Sequence, residues 1–304
     1  MRSKRCITLL LGLLPLSAQA LPELLIPAYF DPSTDSGRWS QMASAASSAP
    51  LTVVMNPNSG PGAAADASYT AAIDAVRANG GRVIGYVATG FGGRAAAAVK
   101  ADIDSYLAFY PVLDGIFLDE MTNDADAAHL NYYGDIYQYI KAKGAALRVV
   151  GNPGSATPES YLTRPVADVI VIFENPESEY AANPPASFVA SYPASRFAMI
   201  AFGQPSAAGM AGDLSLAHER HTGLVFVTDD TETLADPNPY DTLPGYFSQE
   251  VAAVAAQQPA SGGDGYGGGG SGAGSGGGYG SGGVLPPGLL LGLLLLAAGG
   301  RSRG

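Results

Sequence analysis

The chain has 304 residues, 47% hydrophobic and 14% charged, with 16 Lys and Arg against 27 Asp and Glu and a net charge of −11 at pH 7. So acidic a surface repels phosphate backbones and anionic lipid headgroups, which argues against nucleic acid as a partner and favours a cationic one. A single cysteine, Cys6, excludes a disulfide within the chain.

In chain order, the first twenty residues carry Arg2, Lys4 and Arg5, an apolar run over 7–16, and the small-x-small site Ala18-Gln19-Ala20. This is the layout of a cleaved secretory signal rather than of a short buried helix. Cys6 leaves with it. Losing these three basic residues and Arg301 and Arg303 of the tail leaves 11 Lys and Arg against 27 acids, a balance of −16.

From 21 to 260 short apolar runs alternate with helix-like segments. Strands are expected at 24–30, 51–55, 82–88, 115–120, 147–151, 169–174, 197–202 and 223–228, each rich in Val, Ile, Leu, Phe or Tyr and bounded by Gly, Pro, Asn or Asp. Helices are expected at 38–47, 68–79, 95–109, 127–143, 158–162, 185–191, 214–221 and 243–257, several closed by a glycine, as in "RANGG" and "KAKG". Runs apolar on both faces describe a parallel sheet covered on both sides. Eight βα units in one α/β domain of this size predict a closed (β/α)8 TIM barrel. An open doubly wound sheet is the alternative, but it usually carries a Gly-rich phosphate loop after its first strand, where this chain reads "YFDPSTDSG".

Residues 261–283 are almost wholly Gly and Ser with a few Tyr, a flexible linker by composition. After it, 284–304 runs from "VLPPGLLLGLLLLAA" to a basic end. As a helix its apolar part spans roughly 22 Å, short of the roughly 30 Å hydrocarbon core. Membrane contact is expected only through this tail. The order of linker, short apolar stretch and Arg-containing end resembles the Gly-Gly type of sorting signal on exported proteins of some Gram-negative bacteria, whose tail is cleaved to release the protein. A plain membrane anchor is the competing reading, and either implies a secreted or cell-surface protein. The domain is expected to be a monomer.

In such a barrel the site lies at the C-terminal ends of the strands. Those ends offer Tyr29 and Asp31, Asn56 and Asn58, Tyr86 and Thr89, Asp119 and Glu120, Asn152, Glu174 and Asn175, Gln204, and Thr228, Asp229 and Asp230. Amides and carboxylates bond hydroxyls, tyrosines offer flat apolar faces, and few cations are present to hold phosphate: the set reads as a sugar site. For Asn58, Thr89, Asp229 and Asp230, ordinary loop polarity explains the residue equally well. Period-two alternation sends Gly115, Phe117 and Asp119 to one side of the strand and Glu120 to the other, unless the strand end bends. Glycosidic hydrolysis needs two carboxyl groups, one protonated and one ionised, and Asp119 and Glu174 on the fourth and sixth strands can face each other. Metal-dependent hydrolysis is the rival, but His129, His218 and His221 fall in expected helices, so no metal site and no cofactor is expected.

The segments "IPAYFDP", "VVMNPNSGPG", "GGRVIGYVATGFGGR", "YPVLDGIFLDEM" and "VIFENPE", in this order between 25 and 177, resemble the spherulin-4-like family (spherulation-specific family 4) of secreted glycoside hydrolases. The resemblance implies a (β/α)8 glycosidase acting inside chains of α-1,4-linked galactosamine and N-acetylgalactosamine, an exopolysaccharide of biofilms that is cationic where deacetylated. It places the functional acids at Asp119, Glu120 and Glu174. By analogy with related α-galactoside-cleaving barrels it implies a retaining enzyme with Asp119 as nucleophile, Glu174 as acid and then base, and Glu120 as a sugar-binding neighbour. Tyr29, Asp31, Asn56, Tyr86, Asn152 and Gln204 remain as substrate-binding candidates. The alternative is a non-catalytic carbohydrate-binding surface protein on the same barrel.

Overall fold

The computed structural model describes residues 22–235 and 237–258; the expected signal, linker and tail lie outside the described residues. Eight parallel strands close into one barrel in the order β1 to β8. They are β1 (Glu23–Ala28), β2 (Leu51–Met55), β3 (Arg82–Ala88), β4 (Gly115–Asp119), β5 (Arg148–Gly151), β6 (Val169–Pro176), β7 (Phe197–Phe202) and β8 (Leu224–Val227). The fold is the expected (β/α)8 TIM barrel.

Six full helices cover it: α1 (Ser36–Ala46), α2 (Ala67–Ala78), α3 (Ala96–Phe109), α4 (Ala127–Lys143), α7 (Ala207–Glu219) and α8 (Phe247–Ala255). The crossovers after β5 and β6 are reduced to single turns, α5 (Ser160–Thr163) and α6 (Glu177–Tyr180), with 3-10 turns at Ser187–Ser191 and Ala194–Arg196. The helix expected at 185–191 is thus a 3-10 turn. The one expected at 214–221 starts at Ala207, where the Ser206 side chain accepts the Gly209 N–H at 3.1 Å as an N-cap. Asp66 and Asp126 cap α2 and α4 in the same way, accepting from Ser68 and Ala128.

Two glycines let backbone and helix approach closely. A Cβ on Gly115 of β4 would lie 2.0 Å from the Arg148 carbonyl oxygen of β5, and one on Gly85 of β3 would strike the Tyr106 ring of α3 at 2.7 Å. At the N-terminal end of the barrel, the Arg148 guanidinium holds Glu23 at 2.6 Å, and Glu23 also accepts from Thr52, a polar plug beneath an apolar interior.

The sheet is unevenly zipped. Neighbouring strands share four to six paired residues in six of the junctions. At β5/β6 the pairs are only Val150 with Val169 and Gly151 with Ile170, and at β8/β1 only Glu23 with Leu224 and Leu24 with Val225. Above the β8/β1 pairs, the Val227 N–H is taken by the side chain of Glu250 on α8 (2.8 Å) and the Tyr29 N–H by the Tyr240 carbonyl (3.1 Å).

Candidate active site

Alternation along β4 points Phe117 and Asp119 into the barrel. Phe117 stacks on Tyr86 of β3 with ring centroids 6.4 Å apart and planes 22° from parallel. Above it, the Asp119 carboxylate accepts hydrogen bonds from the Tyr86 hydroxyl, the Asn152 amide (2.7 Å) and the Glu120 backbone N–H. Glu120 then breaks the alternation. Its φ of +52° is left-handed, a costly conformation for a residue with a Cβ, of order 1 kcal/mol. The kink is held from β3: the Thr89 hydroxyl lies 2.8 and 2.7 Å from the carbonyls of Asp119 and Glu120, and the Phe91 N–H donates to the Glu120 carbonyl at 2.7 Å. In consequence the Glu120 carboxylate stays at the mouth, accepting the Gly90 N–H at 3.0 Å.

Asn152, just past β5 and 5% exposed, joins the two strands that carry the acids. Its Oδ1 accepts the Gly154 N–H at 2.9 Å, which fixes the amide orientation and leaves Nδ2 as the donor toward the cleft. That one nitrogen donates to Asp119 Oδ1 and to Glu174 Oε2. Two oxygens bonded to one amide nitrogen stand no more than about 5 Å apart. The second oxygen of Glu174 accepts the Tyr240 hydroxyl at 2.6 Å. Tyr29 meets both Tyr86 (5.5 Å) and Tyr240 (5.6 Å) edge-on, so three tyrosines wall the pair.

Burial raises both acids. For Glu174, desolvation first and repulsion from Asp119 second outweigh the bonds from Tyr240 and Asn152, and its carboxyl is pushed up to about 7. Asp119 is also raised by burial, with Glu120 adding repulsion, but three hydrogen bonds favour its ionised form. The Tyr29 and Tyr240 phenols are pushed well above their ordinary range by burial and the facing carboxylates, so both stay protonated and Tyr240 is a donor to Glu174 and not a base.

Of the sequence-derived candidates, Tyr29, Tyr86, Asp119, Glu120, Asn152 and Glu174 come together here. Three others stand apart from this network. Asp31 is exposed and accepts the Ser33 N–H at 2.7 Å, a turn-forming contact. Asn56 accepts the Gly60 N–H at 2.9 Å and pins the loop after β2. Gln204 is buried, its amide donating to Asp213 at 2.8 Å and reaching Glu177 at 3.4 Å. Tyr240 was not among the candidates: it lies in the long β8–α8 loop, thirteen residues beyond the end of β8. Of the histidines, His129 pairs with Asp124 at 2.9 Å and His221 bonds the Tyr192 carbonyl at 2.6 Å. Among the described residues no group of three or more His, Cys, Asp or Glu is placed to hold a metal.

Comparison with known proteins places this arrangement in context. The chain is 37% identical over 245 residues to Spherulin-4 of Physarum polycephalum, covering 77% of this chain and 70% of the relative. The crystal structure of Aspergillus clavatus Sph3 in complex with GalNAc superposes with a TM-score of 0.67 at 26% identity, covering 78% of this chain and 98% of that one. The family model "Spherulation-specific family 4" matches residues 23–254, beyond Glu177 and through the strands and loop that bring in Tyr240. With a closed barrel, paired acids at the C-terminal ends of its strands and a family match over the whole of it, the chain belongs to the spherulation-specific family 4.

Proposed function

We propose that this protein is a secreted, endo-acting glycoside hydrolase that cleaves α-1,4-linked galactosamine and N-acetylgalactosamine polymers of a biofilm matrix with retention of configuration. The observation that carries the reading is the single Asn152 amide nitrogen donating to both Asp119 and Glu174. Carboxylate oxygens held within about 5 Å of each other suit a carboxylate that attacks the sugar directly, whereas inversion needs carboxyl groups about 6.5–9.5 Å apart to admit a water between. GalNAc bound to Sph3 supports a hexosamine as the sugar.

In this reading Glu174, its carboxyl raised to about 7, donates a proton to the departing glycosidic oxygen. Asp119, held ionised by Tyr86, Asn152 and the Glu120 N–H, attacks the anomeric carbon from the other face. Glu174, now ionised, takes a proton from the water that releases the covalent intermediate. Glu120, fixed at the rim by Gly90, bonds sugar hydroxyl or ammonium groups.

The test is incubation of residues 21–260 with partly deacetylated α-1,4-galactosamine polymer, with oligosaccharides read by mass spectrometry. Asp119→Asn and Glu174→Gln are each expected to lower release at least about 10³-fold with unchanged circular dichroism. Polymer bound but never cut by the parent protein would support the carbohydrate-binding alternative instead.

A further inference from the structure

Three large apolar side chains are exposed among the described residues: Phe91, Val112 and Leu234. Val112 follows α3, at the N-terminal end of the barrel. Phe91 follows β3 at the mouth, and it is 64% exposed although its backbone is anchored from both sides. Its N–H donates to the Glu120 carbonyl at 2.7 Å, Gly93 closes the turn onto the Gly90 carbonyl at 2.8 Å, and the Arg94 N–H bonds the Thr89 carbonyl at 3.2 Å. The Arg94 guanidinium ties the loop down again, to the Ala88 carbonyl at 2.6 Å and Asp102 at 2.7 Å.

Phe91 also has a φ of +52°, between Gly90 and Gly92, both at positive φ. A third glycine would meet this backbone at no steric cost, whereas a phenylalanine costs of order 1 kcal/mol in strain and leaves a large apolar face in water. Its backbone lies one hydrogen bond from that of Glu120, so an anchored loop presents this exposed ring at the barrel mouth beside the paired acids. The apolar C–H face of a pyranose is what such a plane attracts.

We propose that Phe91 is the stacking platform of a sugar subsite adjoining the catalytic cleft, holding a neighbouring unit of the same polymer. The proposal rests on the glycosidase reading above and deepens it: the enzyme grips a chain and not a lone residue.

The test uses the Glu174→Gln protein, which retains oligomers uncut, with or without Phe91→Gly or Phe91→Trp. Affinities are measured calorimetrically for α-1,4-galactosamine oligomers of about two to eight units. Phe91→Gly is expected to weaken the longer oligomers about tenfold and leave the shortest unchanged, while Phe91→Trp keeps full affinity. The glycine variant should melt no lower than its parent, because it relieves strain. Equal affinity at every length with and without the ring overturns the subsite, as does an equal loss at every length. A parent that binds no oligomer overturns both this proposal and the substrate reading, whereas active wild-type protein with active Asp119 and Glu174 variants overturns the mechanism alone.

Discussion

Glu174 is a carboxyl whose proton affinity is set by named neighbours, and each neighbour can be removed. Tyr240 donates to it and so favours its ionised form. Tyr240→Phe deletes that bond and keeps the ring, so the carboxyl should hold its proton to higher pH. Since the proposed general acid must be protonated, the alkaline limb of kcat/KM is expected to shift upward in the variant, with a loss of about tenfold or less at the optimum. A limb that stays put or moves down would show that another group titrates there. The acids and Asn152 were legible because each closes an apolar run. Tyr240 was not, because its place depends on the path of a loop whose Pro-rich sequence gives no period to follow. Nor was the Glu120 kink, since alternation assumes the extended backbone that a φ of +52° abandons. Gln204 shows the limit of the strand-end rule: it closes an apolar run like the others, yet Asp213 of α7 claims its amide.

At the level of elements, α8 does more than cover the barrel. Glu250 is wholly buried, with Oε1 accepting the Val227 N–H and Oε2 lacking any partner, and burial pushes its carboxyl up to about 8. With a folded-state pKa above the ordinary 4.5, its contribution to stability is full below about pH 4.5 and is lost as pH climbs through 8. Glu250→Gln keeps the acceptor and cannot ionise. Its melting temperature relative to wild type is therefore expected to rise between pH 5 and pH 8 and to level off above that, by an amount worth up to a few kcal/mol at about 1.4 per pKa unit. A constant difference across that range would refute the assignment. Sequence reading placed the strands well because both-face burial is a local signal. It misplaced the α7 start because "PSAAGMAGD" carries two glycines that read as loop, and the cap at Ser206 outweighs them. It expected only short segments after β5 and β6, at 158–162 and 185–191; the first is the turn Ser160–Thr163, and the turn Glu177–Tyr180 that follows β6 directly went unread.

At the scale of the whole molecule, barrel closure followed from the number of βα units and the domain size, with no Gly-rich loop after the first strand to favour an open sheet, while the uneven zipping around the ring did not, since no single strand encodes how far it pairs with the next. The net charge of −11 acts at this scale as well. For a polymer bearing ammonium groups, kcat/KM is expected to fall as ionic strength rises from about 0.02 to 0.3 M, with Debye lengths shrinking from tens of ångströms to a few. Turnover of a fully acetylated polymer should stay flat over the same range, and a parallel fall in both would remove the steering idea. The thin junctions at β5/β6 and β8/β1 divide the ring into two arcs, β1 to β5 and β6 to β8. Asp119 rides on one arc and Glu174 on the other. The spacing on which the proposed displacement depends is thus a property of two joints, and Asn152 and Tyr240 are the tethers that bridge them.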